Sequence, residues 1–206
     1  MEFASHRRSM NILIREFSWP ERYALERHLL TLEAEDRRLR FGVPLSDAAV
    51  RSYVGRIDFE RDAVFGVFHD DLRLLAAAHL ARGDGHAELG ISVLVGYRGR
   101  GLGGALLGRA HMHARNWGVA SLFMHCLAEN SAIMHLARKR AMQIVAASGE
   151  ADAWLKLPPA DASSYLGEVF EQRLALFDYA CKTQLAAARR LAGAFTPGTA
   201  WRARER

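Results

Sequence analysis

The chain has 206 residues, of which 50% are hydrophobic and 25% charged, and its formal net charge is +5. This is the composition of an ordinary globular protein that buries a sizeable core, and two isolated cysteines exclude a disulfide framework or a zinc knuckle. No run of about 18 apolar residues occurs, so we expect a cytoplasmic protein with no membrane span and no secretory signal. The mild positive charge permits anionic ligands without requiring nucleic acid as a partner.

The first half of the chain alternates between short helical and extended patterns. In chain order we predict strand 11–17, helices 19–33 and 45–57, and strands 63–69, 72–81 and 87–95. Ser46 or Asp47 is suited to be the N-cap of the second helix. Two adjacent aspartates separate the second and third strands, which predicts a β-hairpin there.

The second half continues with a crossover pattern. We predict helix 101–116, strand 121–127, helix 130–140, strands 143–148 and 151–157, and a long helix over 160–192. The first four strands can form an antiparallel meander. The fifth must run parallel to the fourth, because a helix crosses over between them.

The division of the chain follows from these elements. We expect a flexible N-terminus over 1–10, one folded domain over 11–157, and a helical extension with a basic tail over 158–206. Apolar residues recur at helical spacing in the extension, which is typical of a helix that packs on the domain or forms a homodimer.

The stretch VLVGYRGRGLGGALL, residues 93–107, places a glycine-rich turn between the fourth strand and the next helix. A helix start offers unpaired backbone N–H groups and the positive end of the helix dipole, and a diphosphate is their natural partner. Glycines at 99, 101, 103 and 104 remove side chains that would hold phosphate oxygens away. Arg98 and Arg100 add charge-assisted donors.

Two phosphate-binding patterns fit this turn. Gly99, Gly101 and Gly104 match G-x-G-x-x-G, the dinucleotide fingerprint of a Rossmann fold. The context opposes that interpretation, because antiparallel strands precede the turn and the next strand, SLFMHCL, lacks an acidic residue for a ribose. The other pattern is R-x-x-G-x-G, which begins at Arg98.

Over residues 11–157 the sequence resembles the GNAT family of acetyl-CoA-dependent N-acetyltransferases. The resemblance is strongest in AELGISVLVGYRGRGLGGALLGRA and in LAENSAIMHLARKRAMQIV. Segments 32–42 and 58–67 are also similar to the branch that contains bacterial protein-lysine acetyltransferases. The resemblance implies an α/β (α+β) fold with a mostly antiparallel sheet of about seven strands flanked by helices. Its fourth and fifth strands would be parallel and splayed.

The resemblance also implies that acetyl-CoA is the co-substrate, with its pantetheine arm between the splayed strands. Backbone groups of the fourth strand would bind that arm, and the glycine turn would bind the pyrophosphate. The implied cofactor-binding residues are Ile91, Ser92, Val93, Arg98, Gly99, Arg100, Gly101, Leu102, Gly103, Gly104 and Asn130. The N–H near Val93 would stabilise the thioester oxygen as it gains charge. Asn130 would contact the pantetheine arm, and it is equally suited to be a helix N-cap.

Acetyl transfer to an amine requires a neutral nucleophile, since an alkyl ammonium titrates near 10.4. Glu88 on the fourth strand and His125 on the fifth are the candidate bases, alone or through water. Each has an ordinary structural alternative, a surface carboxylate for Glu88 and a core histidine for His125. Ala137 stands where many family members carry a tyrosine that protonates the departing sulfur, so the general acid is unassigned.

Three interpretations therefore stay open. The first is an N-acetyltransferase that acts on a primary amine by direct attack in a ternary complex. The second is a non-catalytic acyl-CoA sensor, and the third a Rossmann-type dinucleotide-binding protein. The acceptor is undetermined among a polyamine, an amino acid, an antibiotic and a protein lysine.

Other polar clusters carry little functional signal. We expect no metal site, because His111 and His113 point to different faces of one helix. The run at 37–40, Arg-Arg-Leu-Arg, is predicted to be solvated. Cys126 is predicted to be a small buried apolar side chain.

Overall fold

A computed structural model describes residues 12–194. The expected flexible segment 1–10 and the basic tail lie outside the described residues. The strands are β1 Arg15–Glu16, β2 Ala63–Phe68, β3 Leu74–Arg82, β4 His86–Val93, β5 Ser121–Leu127, β6 Gln143–Ala147 and β7 Glu150–Lys156. The α-helices are α1 Arg22–Thr31, α2 Ala34–Phe41, α3 Asp47–Gly55, α4 Leu102–Asn116, α5 Ser131–Lys139 and α6 Ala162–Ala194.

The seven strands form one mixed sheet in the order β1-β2-β3-β4-β5-β7-β6. Only the β4–β5 pair is parallel, as predicted from the crossover helix between them. Its pairing is confined to His86–Glu88 against Ser121–Phe123, so the two strands separate towards their carboxyl ends. The Rossmann alternative is wrong, because the glycine turn follows a strand of an antiparallel meander.

Helices cover both faces of the sheet, and alternation along the strands assigns each side chain to a face. Leu89 and Ile91 belong to the apolar cluster that includes α4. Ala77 belongs to the second cluster, which includes α1 and α3. Because Ala77 pairs with Ser92 in the β3–β4 ladder, the even-numbered residues of β4 face α1 and α3.

Helix α6 is fastened to α4 and β1 by a buried ion-pair network. Arg109 of α4 is 2% exposed, and its guanidinium contacts Glu168 at 2.5 Å and Glu16 at 3.2 Å. His113 and Asn116 also hydrogen-bond to Glu168. Burial opposes ionisation of Glu168, but the bonds from His113, Asn116 and Arg109 outweigh it and lower the pKa of this carboxyl to about 2. The long helix is therefore part of the folded domain along its first half.

Two sequence predictions need correction. The strand predicted over 11–17 is reduced to two residues, because its apolar pattern reflects burial of Ile14 and Phe17 and not an extended ladder. Residues 34–41 were not predicted to be helical, since AEDRRLRF has no apolar period. The signals of α2 lie at its ends, with acidic residues in the first turn and left-handed Gly42 as the C-cap.

The other helix and strand predictions agree with the structure within a few residues. Ser46 is the N-cap of α3, and its side chain accepts from Ala49 N at 3.2 Å. Cys126 is buried, as predicted. Within residues 12–194, none of the helices combines the length and apolar character needed to cross a bilayer.

Candidate active site

The separation of β4 and β5 opens a cleft of about 900 Å³ at the N-terminus of α4. All eleven residues predicted to bind the cofactor line it. They are Ile91, Ser92, Val93, Arg98, Gly99, Arg100, Gly101, Leu102, Gly103, Gly104 and Asn130. Residues distant in sequence thus meet where one strand ends and one helix begins.

The glycine turn exposes backbone N–H groups to this cleft. Gly99 and Gly101 have φ angles of 72° and 84°, a left-handed conformation that side chains disfavour. Gly101 is the N-cap of α4, and the first bond of that helix runs from Ala105 N to Gly101 O at 3.0 Å. The N–H groups of the three residues between them therefore have no acceptor within the helix. Together with the helix dipole they form a site for an anion.

Basic side chains surround this anion site, including two on α5 that sequence reasoning did not select. Lys139 and Arg140 line the cleft, and Arg140 donates to Gly104 O at 3.3 Å. The run ARKR at the end of the predicted helix was the available signal. Arg100 donates to Gly96 O at 3.0 Å, so its guanidinium is held beside the turn. The cleft is suited to a ligand with several negative charges.

Helix α2 bridges the gap between the splayed strands. On the β4 side Asp36 pairs with Arg98 at 2.6 Å, and on the β5 side Arg38 pairs with Glu129 at 2.5 Å. The Asn130 amide nitrogen donates to Leu39 O at 3.1 Å. The prediction that residues 37–40 are simply solvated is wrong, because this helix closes one wall of the cleft.

Asn130 also has the N-cap role predicted for it. Its side-chain oxygen accepts from Ile133 N at 3.2 Å, which caps α5, while its amide nitrogen holds α2. One side chain therefore fixes two of the helices that line the cleft.

A half-buried chain of polar side chains lies behind the cleft, on the face of α1 and α3. The guanidinium of Arg40 covers Gly90, where an added Cβ would lie 2.0 Å from a terminal nitrogen. Arg40 donates to the Tyr53 hydroxyl at 3.2 Å, and that hydroxyl is 2.6 Å from His79 Nδ1. The other His79 nitrogen is 3.1 Å from Asp62. Since an ionised carboxylate only accepts hydrogen bonds, His79 donates to Asp62 and accepts from the Tyr53 hydroxyl. The hydroxyl oxygen of Tyr53 is then free to accept from Arg40, which holds the Arg40 guanidinium at the cleft.

A second buried pair supports the β4 wall. His28 of α1 is 3% exposed, with Nδ1 3.1 Å from Leu74 O and Nε2 2.8 Å from the Ser92 hydroxyl. A carbonyl can only accept, so Nδ1 carries the proton and Nε2 accepts from Ser92. Burial lowers the pKa of His28 to about 4, helped by the charge of Arg40 and opposed by the bond to Leu74. The ring is therefore neutral near pH 7.

This buried histidine should make the protein acid-sensitive. Between pH ~6.5 and pH 4 the unfolded imidazole binds a proton that folded His28 does not, so the free energy of unfolding rises with pH in this window. The change amounts to roughly 3 kcal/mol over the full window. Urea unfolding at pH 7 and pH 4.5 should show a smaller stability loss for His28→Gln than for the wild type. Ser92→Ala is the matched control, since it keeps the titrating ring, and equal losses for all three proteins would contradict the assignment.

The two candidate bases lie on the same face of the sheet, near the point where β4 and β5 begin to separate. Glu88 pairs with Phe123 at the last register of the parallel ladder, and His125 follows two residues later on β5. Both are exposed, and neither lines the cleft described above. His125 Nδ1 is 2.8 Å from Asp152.

Ala137, which stands where a general acid is expected, lies on the buried face of α5 and is fully buried. Its methyl group has no proton to give. The residues that line the cleft therefore supply groups that can bind an anion, the candidate bases Glu88 and His125 lie outside that lining, and position 137 contributes no acid.

Comparison with known proteins adds to this geometry. The sequence profile of the Acetyltransferase (GNAT) family matches residues 13–142. A search of curated protein sequences finds no significant match.

Several solved structures share the fold. The GNAT domain of S. lividans PAT is 19% identical, with 70% of this chain and 89% of that chain covered and a TM-score of 0.60. The phosphinothricin acetyltransferase from Sinorhizobium meliloti in complex with AcCoA is 13% identical, with coverages of 72% and 93% and a TM-score of 0.57. The ribosomal-protein-S18-alanine N-acetyltransferase from Escherichia coli is 20% identical, with coverages of 72% and 94% and a TM-score of 0.52. At these identities the likeness establishes the fold alone.

The sequence profile covers more than half of the chain, and the splayed β4–β5 pair and the glycine turn lie within it. The chain belongs to the GNAT acetyltransferase family, and the family assignment makes it an acyltransferase enzyme.

Proposed function

We propose that this enzyme transfers an acetyl group from acetyl-CoA to a primary amine, on a small molecule or a protein lysine, by direct attack in a ternary complex. The observation that carries the proposal is the meeting of two features in one cleft. The exposed amides of residues 102–104 lie at one end of the cleft. The stretch of β4 beyond Glu88, which pairs with β3 but not with β5, lies along its wall. A long ligand with a diphosphate at one end and amides along its arm fits both features.

The residues of the cleft have distinct parts in this proposal. The amides of α4, with Arg98, Arg100 and Arg140, hold the pyrophosphate by charge-assisted hydrogen bonds. Backbone groups of Ile91 to Val93 pair with the pantetheine arm as an added strand would. Bound acetyl-CoA supplies the acetyl group as a thioester.

The chain itself must then handle one proton and one developing charge. Glu88, directly or through water, takes the proton from the acceptor ammonium so that its nitrogen can attack the acetyl carbon. The backbone N–H near Val93 stabilises the negative charge that grows on the carbonyl oxygen. The carbon–sulfur bond breaks, the thiolate leaves with the electron pair, and the second proton that the attacking nitrogen must lose passes through water to that thiolate. A thiol titrates near 8.5, so the thiolate can depart without a protein acid at Ala137.

A non-catalytic acyl-CoA sensor is the alternative, and buried Ala137 is the observation that favours it. A thiol-release assay with acetyl-CoA and a panel of amines, including lysine peptides, separates the two. We expect CoA release that depends on the amine. Cofactor binding by calorimetry without release under any acceptor would indicate the sensor, and no binding of acetyl-CoA at all would refute both.

The setting of the reaction is part of the same proposal. We place the enzyme in the cytoplasm, where acetyl-CoA and reduced cysteines coexist. Residues 11–157 would carry the acetyltransferase activity, and residues 158–206 would form a helical extension with a basic tail. His125 stays a second candidate base, since it also lies near the point where β4 and β5 begin to separate, as Glu88 does.

A further inference from the structure

Helix α6 has two opposite faces, and only one of them packs on the domain. Ala175 is 2% exposed, Gln172 accepts from Glu16 N, and Lys182 donates to Phe68 O at 3.1 Å. With Glu168 these residues lie along one side of the helix, since they recur at intervals of four, three and seven. The side opposite to them points to solvent.

The other side carries an apolar stripe that is largely exposed, although Phe170 and Leu174 at its start border a cavity that α4 also lines. Phe170 is 64% exposed and Phe177 is 72% exposed, values far from those of a core aromatic residue. The exposed apolar residues of this stripe recur at intervals of three or four, and they are Phe170, Leu174, Phe177, Cys181, Leu185 and Ala188. This spacing is that of a two-helix seam, in which each apolar residue packs between residues of a facing helix. A monomer that exposed such a stripe would be unusual.

The end of α6 extends past its contacts with the domain. From Thr183 to Leu191 every residue except Ala186 is exposed, although the segment is helical throughout. Isolated helical segments of this length are marginal in water, because most helix stability comes from packing. A facing helix would supply that packing.

The charges beside the stripe indicate which helix faces it. The first half of α6 carries Glu171 and Asp178 on one flank, and the second half carries Lys182 and Arg189 on the same flank. Glu171 and Arg189 lie equally far from Ala180, on either side of it, and so do Asp178 and Lys182. An antiparallel pair of identical helices centred near Ala180 would place acidic residues opposite basic ones, whereas a parallel pair would place like charges together.

We propose that α6 pairs with α6 of a second copy of this chain, antiparallel and about a two-fold axis near Ala180. The contact is isologous, so each favourable charge pair occurs twice. Lys182 contributes less than Arg189 to the charge pairs between the two helices, because it is also bound to Asp178 at 2.8 Å within its own helix. The cleft at the N-terminus of α4 does not include the stripe, so the pairing is independent of the proposed chemistry.

The first test is the mass of the full-length chain in solution. Sedimentation velocity should give twice the chain mass of 23.0 kDa for the wild type. Phe170→Glu/Phe177→Glu should give the monomer mass with an unchanged circular dichroism spectrum, and Val145→Glu, at an exposed apolar site on β6, should stay dimeric. A monomeric wild type, as expected if another protein or a membrane covers the stripe, would overturn the proposal. A dimer that survives the double substitution would also overturn it.

The second test addresses orientation. Glu171→Arg and Arg189→Glu should each raise the dimer Kd by roughly tenfold, and the double reversal should restore it, because each exchange removes two symmetric charge pairs. Single reversals that change nothing would indicate a parallel pair and overturn the antiparallel assignment. Exposed Cys181 lies next to the proposed axis, so a short bismaleimide should cross-link two chains, and Cys181→Ser should abolish that product. Buried Cys126 leaves this readout unambiguous.

Discussion

Replacing Glu88 with glutamine should lower kcat by about 100-fold or more while the Kd for acetyl-CoA stays close to that of the wild type. Glutamine keeps the size and shape of the side chain but cannot accept the proton of the acceptor ammonium. Glu88 is exposed at the last paired register of β4, next to the point where the strands separate. Steady-state kinetics with a saturating amine, together with calorimetry for the cofactor, would measure the two quantities separately.

His125→Gln is the matched comparison, because His125 lies on the same face but already holds Asp152 at 2.8 Å. We expect a much smaller loss of kcat from this change. Raising the pH should partly rescue Glu88→Gln, since more of the acceptor amine is then neutral without a base. A large loss in His125→Gln with an active Glu88→Gln would assign the base to His125 instead.

Gly101→Val should weaken CoA binding by roughly tenfold or more, because the substitution forces a side chain into a left-handed conformation that costs about 1–2 kcal/mol. The φ of Gly101 is 84°, and this residue sets the direction of the first amides of α4. If the backbone turns to relieve the strain, those amides no longer point into the cleft. Calorimetric titration with CoA measures the loss.

The same helix provides the control. Gly118, just beyond the carboxyl end of α4, has a φ of 74°, and an added Cβ there would meet nothing within 4 Å. Gly118→Val should therefore lower the melting temperature by a similar amount and leave the Kd for CoA unchanged. An equal loss of CoA affinity in both variants would mean that Gly101 acts through stability alone.

The sequence was sufficient for the parts of the site that are continuous along the chain. The turn from Val93 to Gly104 could be recognised because a glycine-rich helix start has few other uses, and Val93 and residues 97–104 line one cleft. Asn130 was selected through the family resemblance, whereas its N-cap role is a local signal that the sequence carries directly. The parallel pairing of β4 and β5 followed from the crossover helix, whose handedness and length allow few alternatives.

Residues that act through distant contacts could not be found in this way. Arg40 belongs to a charged run that is typical of a solvated surface. Only the packing of α2 across the gap between β4 and β5 places its guanidinium over Gly90. His28 meets Ser92 across 64 positions of sequence, and no local pattern marks that pair. Tyr53, His79 and Asp62 likewise come from three separate elements.

The sequence by itself determined the order of strands and helices, the antiparallel meander with one crossover, and the glycine-rich start of α4 at which we propose that an anion binds. It could do so because hydrophobic period, capping and glycine conformation act over a few neighbouring residues. The tertiary structure alone decided which side chains stand behind that site and which face of α6 is left uncovered. Burial and long-range hydrogen bonds depend on how elements pack, and that packing sets the charge and exposure of each group.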